Sequence, residues 1–241
     1  PTHPELLDYL ASELMDGEWK LKALHKQILM SSAFRMTSQS TAAGVKADPE
    51  NKLIWRQEMR RLSAEEIRDT VLAVNGSLNS KMYGPSFYPV IPQEVKHGQS
   101  RPGAGWGNSS PEERARRGIY IFIKRSLPVP FIKAFDGADT DSTCPIRFTT
   151  TQPTQSLELM NGEFTNAQAK VFGNFLRDNT DNLNEQIELA LHRVFQRKPI
   201  EGEIQLGVDL VNTLKEENMD DVQALDYFCL VALNLNELLF L

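Results

Sequence analysis

The sequence predicts a mainly α protein, an irregular multi-helix bundle with a long ordered loop region and at most a minor strand pair. Three observations carry that expectation. Apolar residues recur at three- and four-residue steps through most of the chain, helix-start signatures of the S/T-x-x-E and early-Pro kinds punctuate it, and almost nothing alternates apolar with polar as a half-buried strand does.

Thr2-His3-Pro4-Glu5 has the form of a capping box, and Leu6, Leu7, Leu10 and Leu14 follow on one face until Gly17. A second stripe after Trp19, made of Leu21, Leu24, Ile28 and Leu29, predicts a helix to about Ser31. The short break between the two stripes predicts an antiparallel hairpin. Residues 37–48 carry almost no large apolar side chain and read as a surface loop, with a short helical turn expected over 51–56. Ser63-Ala64-Glu65-Glu66 is a further capping box ahead of Ile67, Val71, Leu72 and Val74, stopped by Asn75-Gly76.

Residues 84–107 concentrate the turn chemistry of the chain: Gly84-Pro85, Tyr88-Pro89, Ile91-Pro92, Arg101-Pro102-Gly103 and Gly105-Trp106-Gly107. So long a loop inside a compact domain is uncommon, and an ordered one often serves binding. Tyr83, Phe87, Tyr88 and Trp106 are therefore the candidate binding residues; the competing expectation is that these rings pin the loop onto the helices. Ser110-Pro111-Glu112-Glu113 starts another helix, and its charged run 112–117 reads as a solvated face with internal ion pairs.

Every residue of 119–123 is apolar, with β-branched side chains at alternate positions. Propensity and length suit a strand and a core helix alike. With 147–151 as the one other stretch that alternates, the segment reads as helix or extended core. After Pro128-Val129-Pro130 come a short apolar turn at 131–135 and a loop at 136–141. Helical stripes then run to the end. Pro153 leads Leu157, Leu159 and Met160; the next stripe is Ala169, Phe172, Phe175 and Leu176; residues 183–195 carry Ile187, Leu191, Val194 and Phe195; and 199–214 carry Ile204, Val208 and Val211. The last helix starts near Asp221 and is apolar nearly all round from 227 to 235, which predicts the centre of a C-terminal bundle.

With 241 residues, 41% of them hydrophobic and 24% charged, the chain suits a single helical domain, with 1–118 and 119–241 as its sub-lobes. The formal charge of -6 speaks against nucleic acid, whose backbone calls for a clustered basic surface. No apolar run approaches the roughly 18 residues of a membrane span. Cys144 and Cys229 have no C-x-x-C spacing and read as two buried free thiols, with pairing in an oxidising compartment as the alternative.

Asp136, Asp139 and Asp141 form the densest carboxylate cluster, beside the basic pair Lys124 and Arg125. Such oxygens suit a hard cation such as calcium, but the EF-hand pattern fails: from Asp139, Cys144 stands where the loop glycine belongs and Thr150 where the final glutamate belongs. Turn formation, capping and pairing with Lys124, Arg125 and Arg147 are the favoured roles, so no metal site is assigned. As an alternative, the three aspartates are the acid/base candidates of a hydrolytic or redox-associated enzyme, with Lys124 or Arg125 orienting substrate. No H-E-x-x-H, G-x-S-x-G, Walker or dinucleotide motif is present, which turns the expectation away from an enzyme. His3, His25, His97 and His192 lie far apart, Cys144 has no identifiable base, and without C-x-x-C-H no covalent haem or other cofactor is expected.

Eight motifs together resemble a known family: His3-Pro-Glu-Leu-Leu-Asp8, Leu21-Lys-Ala-Leu-His25, Arg60-Arg-Leu62 with Glu65-Glu-Ile-Arg-Asp69, Ile121-Phe-Ile-Lys-Arg-Ser126, Ala134-Phe-Asp136, Cys144-Pro145, Thr150-Thr-Gln-Pro-Thr-Gln155 and Leu233-Asn-Leu-Asn-Glu-Leu238. In that order they resemble the C-terminal domain of unknown function of planctomycete cytochrome-c-type multidomain surface proteins. The resemblance implies an exported, periplasmic or cell-surface setting, an upstream segment of the domain before this chain, and no catalytic residues to carry over. Its implied partners are other domains of the parent protein, with an extracellular glycan or polymer as the further expectation. The expected function is thus a helical interaction or scaffold module.

Overall fold

Side-chain caps at Thr41, Ser63, Ser110, Asn182 and Asp220, and prolines at Pro4, Pro111, Pro130 and Pro153, mark many of the helix starts of this chain. The computed structural model describes residues 2–241, and among them it is mainly α, with thirteen α-helices and isolated bridges in place of any strand. Contacts divide the chain into two units, one comprising the residues up to Arg60 together with Leu241, the other Arg61–Phe240.

In the first unit, α1 (Pro4–Asp16) starts with Pro4, whose fixed φ and missing N–H suit the first helical position. Thr2 stands one residue too early to cap it. His3 takes the cap position, and the Thr2 hydroxyl lies 3.1 Å from His3 Nδ1, so the expected capping box does not form. α2 (Leu21–Met30) packs against α1, and Gln27 Nε2 donates to the Tyr9 hydroxyl at 2.6 Å. Neither helix has a buried residue, and Leu7, Trp19 and Leu21 are all more than half exposed.

Residues 37–48, expected as loop, contain α3 (Ala42–Ala47), because the Thr41 hydroxyl accepts from Gly44 N and stops the first turn from fraying. The Trp55 ring lies where a Gly44 Cβ would stand. Its indole N–H donates to the Asp48 carbonyl at 2.9 Å. The 51–56 segment is a non-helical turn built on left-handed Asn51 (φ 51°), whose side-chain oxygen accepts from Trp55 N and Arg56 N. Arg60 and Leu241 exchange both backbone bonds.

The second unit opens with α4 (Ala64–Val74), in which the Ser63–Glu66 capping box forms and Ile67 and Val71 are fully buried. Short pieces follow: α5 (Gln93–His97), α6 (Pro111–Arg114), a 3-10 turn at Gly118–Tyr120 and α7 (Pro130–Ala134). Long helices finish the unit: α8 (Pro153–Asn161), α9 (Glu163–Asn179), α10 (Leu183–Phe195), α11 (Glu201–Glu216), α12 (Asp221–Ala232) and the short α13 (Asn236–Leu239).

α12 is the centre of this bundle, against α9 and α11, as its all-round hydrophobicity predicts. It buries Ala224, Leu225, Phe228, Cys229, Leu230 and Ala232. Each large aliphatic or aromatic side chain among them gains roughly 1.5–3 kcal/mol from leaving water. Gly207 on α11 lets Ile187 and Phe228 close in, since a Cβ there would stand 2.5 Å from Ile187 Cγ2.

A smaller cluster of Phe87, Ile121 and Val129 forms apart from the bundle core, with Trp106, Tyr120 and Ile132 packed against it. Of the two expectations for 119–123, helix or extended core, the extended one holds around Ile121, after a 3-10 turn. The segment leaves the 3-10 turn as extended backbone, Phe87 and Ile121 pair in a single bridge, and Ile121 is the one buried residue of the run, at 6% exposed, while Ile119 and Ile123 are 74% and 59% exposed and Tyr120 and Phe122 are half-buried. Ile119 and Tyr120 still belong to the 3-10 turn, so no regular two-residue alternation runs through the stretch. The 147–151 stretch forms no strand either.

Candidate functional site

Asp136, Asp139 and Asp141 do not converge. Asp141 pairs with Arg125, both groups being largely exposed. Asp139 works locally: its Oδ1 accepts from Asp141 N at 3.0 Å and its Oδ2 from the Ser142 hydroxyl at 3.2 Å. These are turn contacts of the kind Asp side chains supply. Among the described residues no group of three His, Cys, Asp or Glu side chains is placed to hold a metal ion, and no histidine bonds to these aspartates.

Asp136 is different, and the structure gives it partners that its sequence neighbourhood does not reveal. It sits just after α7 in the left-handed region (φ 60°), a conformation Asp tolerates better than most residues. Arg61 Nη2 lies 2.5 Å from its Oδ2; Thr150 donates its amide N–H to Oδ2 at 2.9 Å and its hydroxyl to Oδ1 at 2.8 Å. Gln155, from the first turn of α8, donates to the Ala134 carbonyl at 3.1 Å and to Asp136 Oδ2 at 3.3 Å. Burial works against the Asp136 charge, but the Thr150 bonds, Arg61 and Gln155 outweigh it and hold the carboxyl below the usual carboxylate range. A carboxylate so saturated with donors is a poor proton acceptor, so its chemistry is that of a clasp.

A second clasp binds α4 to the turn at Gly118–Tyr120. Arg68 donates to the Arg116 carbonyl at 2.7 Å and to the Arg114 carbonyl, and stacks on the Phe87 and Phe164 rings. Burial lowers its pKa to about 10 against the opposing charge of Asp69. Asp69 accepts from Gly118 N at 2.6 Å; burial pushes its carboxyl up, and Gly118, Arg68 and Arg117 only partly offset that. Gly118 is needed there, because a Cβ would stand 3.0 Å from Glu65 Cβ.

Arg116, expected on a solvated face, is fully buried. It donates to the Pro85 carbonyl at 2.9 Å, pairs with Glu113 at 3.0 Å and lies over the Tyr120 ring. Carbonyls of the 83–85 turn, which no helix or sheet satisfies, are what draw it inward. Arg147 pairs with Glu65 of α4 at 2.7 Å.

The 84–107 loop is organised by its rings. Phe87 is 1% exposed and belongs to the small core. Tyr88, Trp106 and Phe122 pack together, with ring centroids 4.6 to 5.8 Å apart, and the Trp106 indole donates to the Pro89 carbonyl. Gly107 sits flat on the Tyr88 ring. Tyr83 stands out: its side chain is 79% exposed, while its amide donates to the Tyr120 hydroxyl and its carbonyl accepts from Arg116. Lys124 holds the far end of the loop through the Ala104 carbonyl.

Cys144 and Cys229 are both free, but Cys144 is exposed rather than buried, because every residue from 138 to 149 lies on the surface. Cys229 is enclosed in α12, and burial pushes its thiol well up. Neither thiol therefore suits a nucleophile: one has no base beside it and the other no access.

The two clasps bring together Arg61, Arg68, Asp69, Asp136, Thr150 and Gln155, residues drawn from separate short motifs along the chain. Residues 1–211 match the family PSD1, described as a protein of unknown function (DUF1553). The chain belongs to that family. Both clasps lie wholly within the matched residues. No curated protein and no solved structure matches the chain.

Proposed function

We propose that this PSD1 domain is a helical interaction or scaffold module of a larger exported protein, of the planctomycete cytochrome-c-associated kind that its motifs resemble. It engages a partner domain or an extracellular polymer through the 84–107 loop and its flanks. The observation that carries this is a contrast in how side chains are used. Asp136 and Asp69 are tied up in bonds that hold loops to helices, whereas Tyr83 stands exposed at the start of a loop, its backbone held by the Tyr120 hydroxyl and by Arg116. An aromatic side chain with few rotatable bonds, carried on a bonded backbone, loses little entropy on contact, which is what a recognition surface requires.

The test is a titration of the purified chain against the domains that adjoin it in its parent protein, comparing wild type with Tyr83→Ala. Tyr83 is exposed, so the variant keeps its fold, and binding should weaken about tenfold, the effect of losing a moderate contact residue. Unchanged binding would remove the loop from the interface.

A further inference from the structure

We propose that the α1–α2 hairpin is a self-association surface on which a second copy of the chain seats its own hairpin, completing a four-helix bundle. The proposal concerns the first unit alone and is independent of the function proposed above for the 84–107 loop.

The hairpin leaves one face apolar and uncovered. Leu10, Leu14 and Leu24 are half-buried where the two helices meet, and the hydrogen bond from Gln27 to Tyr9 marks one side of the pair. Those two residues stand at similar distances from the turn at 17–19, so the helices run antiparallel. With roughly 100° between successive residues of a helix, Leu7, Ala11 and Met15 lie on the side of α1 opposite Tyr9. By the same geometry Leu21 and Ile28 lie on the matching side of α2. All five are exposed, and Leu7, Met15 and Leu21 are more than half so. Two helices in one layer cannot enclose such a face, whereas two such layers stacked on each other can.

Charge selects the occupant. α1 carries Glu5, Asp8, Glu13 and Asp16 and no basic residue; α2 carries Lys22, His25 and Lys26 and no acidic one. Among the described residues none of these groups is in an ion pair. The surface that covers the face must therefore offer positive charge along α1 and negative charge along α2. A second copy turned about a two-fold axis parallel to the helices does so, because it lays its α2 on α1 and its α1 on α2. The two-fold perpendicular to the helices would set four carboxylates against four, and an anionic lipid surface would meet the same repulsion.

The size of the face sets the strength. A 13-residue helix is about 20 Å long and a helix pair about 20 Å wide, so each copy buries roughly 400 Å². A total of roughly 800 Å² is below that of a permanent dimer, which places the dissociation constant at about 10–100 µM.

The experiment is sedimentation velocity on the intact chain from about 1 to 300 µM, a range that brackets that constant. The expected result is a monomer–dimer equilibrium. Met15→Gln combined with Leu21→Gln changes only exposed side chains, so the thermal melt should be unchanged while association weakens at least about tenfold. Two charge variants test the arrangement: Glu5→Lys with Asp8→Lys makes both helices basic, and Lys22→Glu with Lys26→Glu makes both acidic. Each alone should associate at least about tenfold more weakly than wild type, and an equimolar mixture of the two should recover wild-type association or better. A variant that was merely damaged could not be rescued by mixing.

A chain that stays monomeric at the highest concentration overturns the proposal. So does a dimer that survives the Met15 and Leu21 changes, or a mixture of charge variants no stronger than either alone. A monomer that floats with phosphatidylcholine–phosphatidylglycerol vesicles, or that binds a separately expressed segment of its parent protein through these residues, gives the face to that occupant and overturns self-association.

Discussion

Replacing Asp136 by Asn removes its negative charge and one of its two acceptor oxygens. Asn occupies the left-handed region as readily as Asp, so the backbone at φ 60° is kept, and its side-chain oxygen still accepts from Thr150. What remains is the Arg61 guanidinium, its side chain 5% exposed and without its counter-ion. Leaving a buried charge unpaired typically costs about 3–5 kcal/mol. The 22% exposure of the Asp136 side chain admits some water, so the expected loss is about 2–4 kcal/mol.

The assay is urea unfolding followed by far-UV circular dichroism and by Trp106 fluorescence with Trp19 and Trp55 replaced, so that the optical probe reports on Arg61–Phe240 alone. The pH dependence has a definite sign. Because the folded carboxyl lies below its ordinary 3.8, its stabilisation is fully present above that pH and is lost as pH falls through the folded value. The gap between wild type and Asp136→Asn should therefore be constant from neutrality to about pH 5 and close under stronger acid. A companion Arg61→Met change should restore most of the loss, since an apolar pairing of similar volume is tolerated. If Asp136→Asn unfolds within about 0.5 kcal/mol of wild type at pH 7, the clasp has been misjudged.

Three further outcomes follow from the packing. Gly207→Ala should destabilise the bundle by about 1–3 kcal/mol in the same assay, because the new methyl meets Ile187 Cγ2 at 2.5 Å. Gly118→Ala should destabilise by about 1 kcal/mol, and the loss should be smaller, not absent, in a Glu65→Gly background, which clears the Cβ contact but leaves Glu65 Cα at 3.2 Å and Asp69 Oδ1 at 3.3 Å. A thiol reagent should label one cysteine of the native protein promptly and the second only on unfolding; two fast thiols would contradict the burial of Cys229.

Much of the helical framework was legible because helix starts and apolar stripes are local signals. Ser63–Glu66 caps α4, and the residues of α10 coincide with the stripe that predicts it. Thr2 misled because a capping motif fixes the cap only to within a residue, and Pro4 moved it. At 119–123 composition leaves helix and extended core both open, and the outcome depended on Phe87, more than thirty residues earlier.

At the candidate site, the sequence named the aspartates and rings as candidates but could not assign their partners. Asp136 meets Arg61 across 75 residues and Arg68 meets the Arg116 carbonyl across 48, distances over which no spacing rule operates. Arg116 gave no sign of burial, since a charged residue inside a charged run has the same composition whether it faces water or the carbonyls of a distant turn.

The ends of the second unit meet. Leu62 N donates to the Leu239 carbonyl at 2.8 Å, and Arg61 and Phe240 form an antiparallel bridge. A pull applied to the chain on either side of this unit would enter and leave at nearly one point, so the bridge would be loaded and the helices behind it shielded. In a force-ramp experiment with handles at Arg61 and Phe240, a small early extension should precede cooperative rupture of the bundle; a single rupture from the folded length would show that the bridge and the bundle yield together. A module joined in this way responds to strain first at its attachment, and the surface formed by its loops stays assembled while the attachment gives.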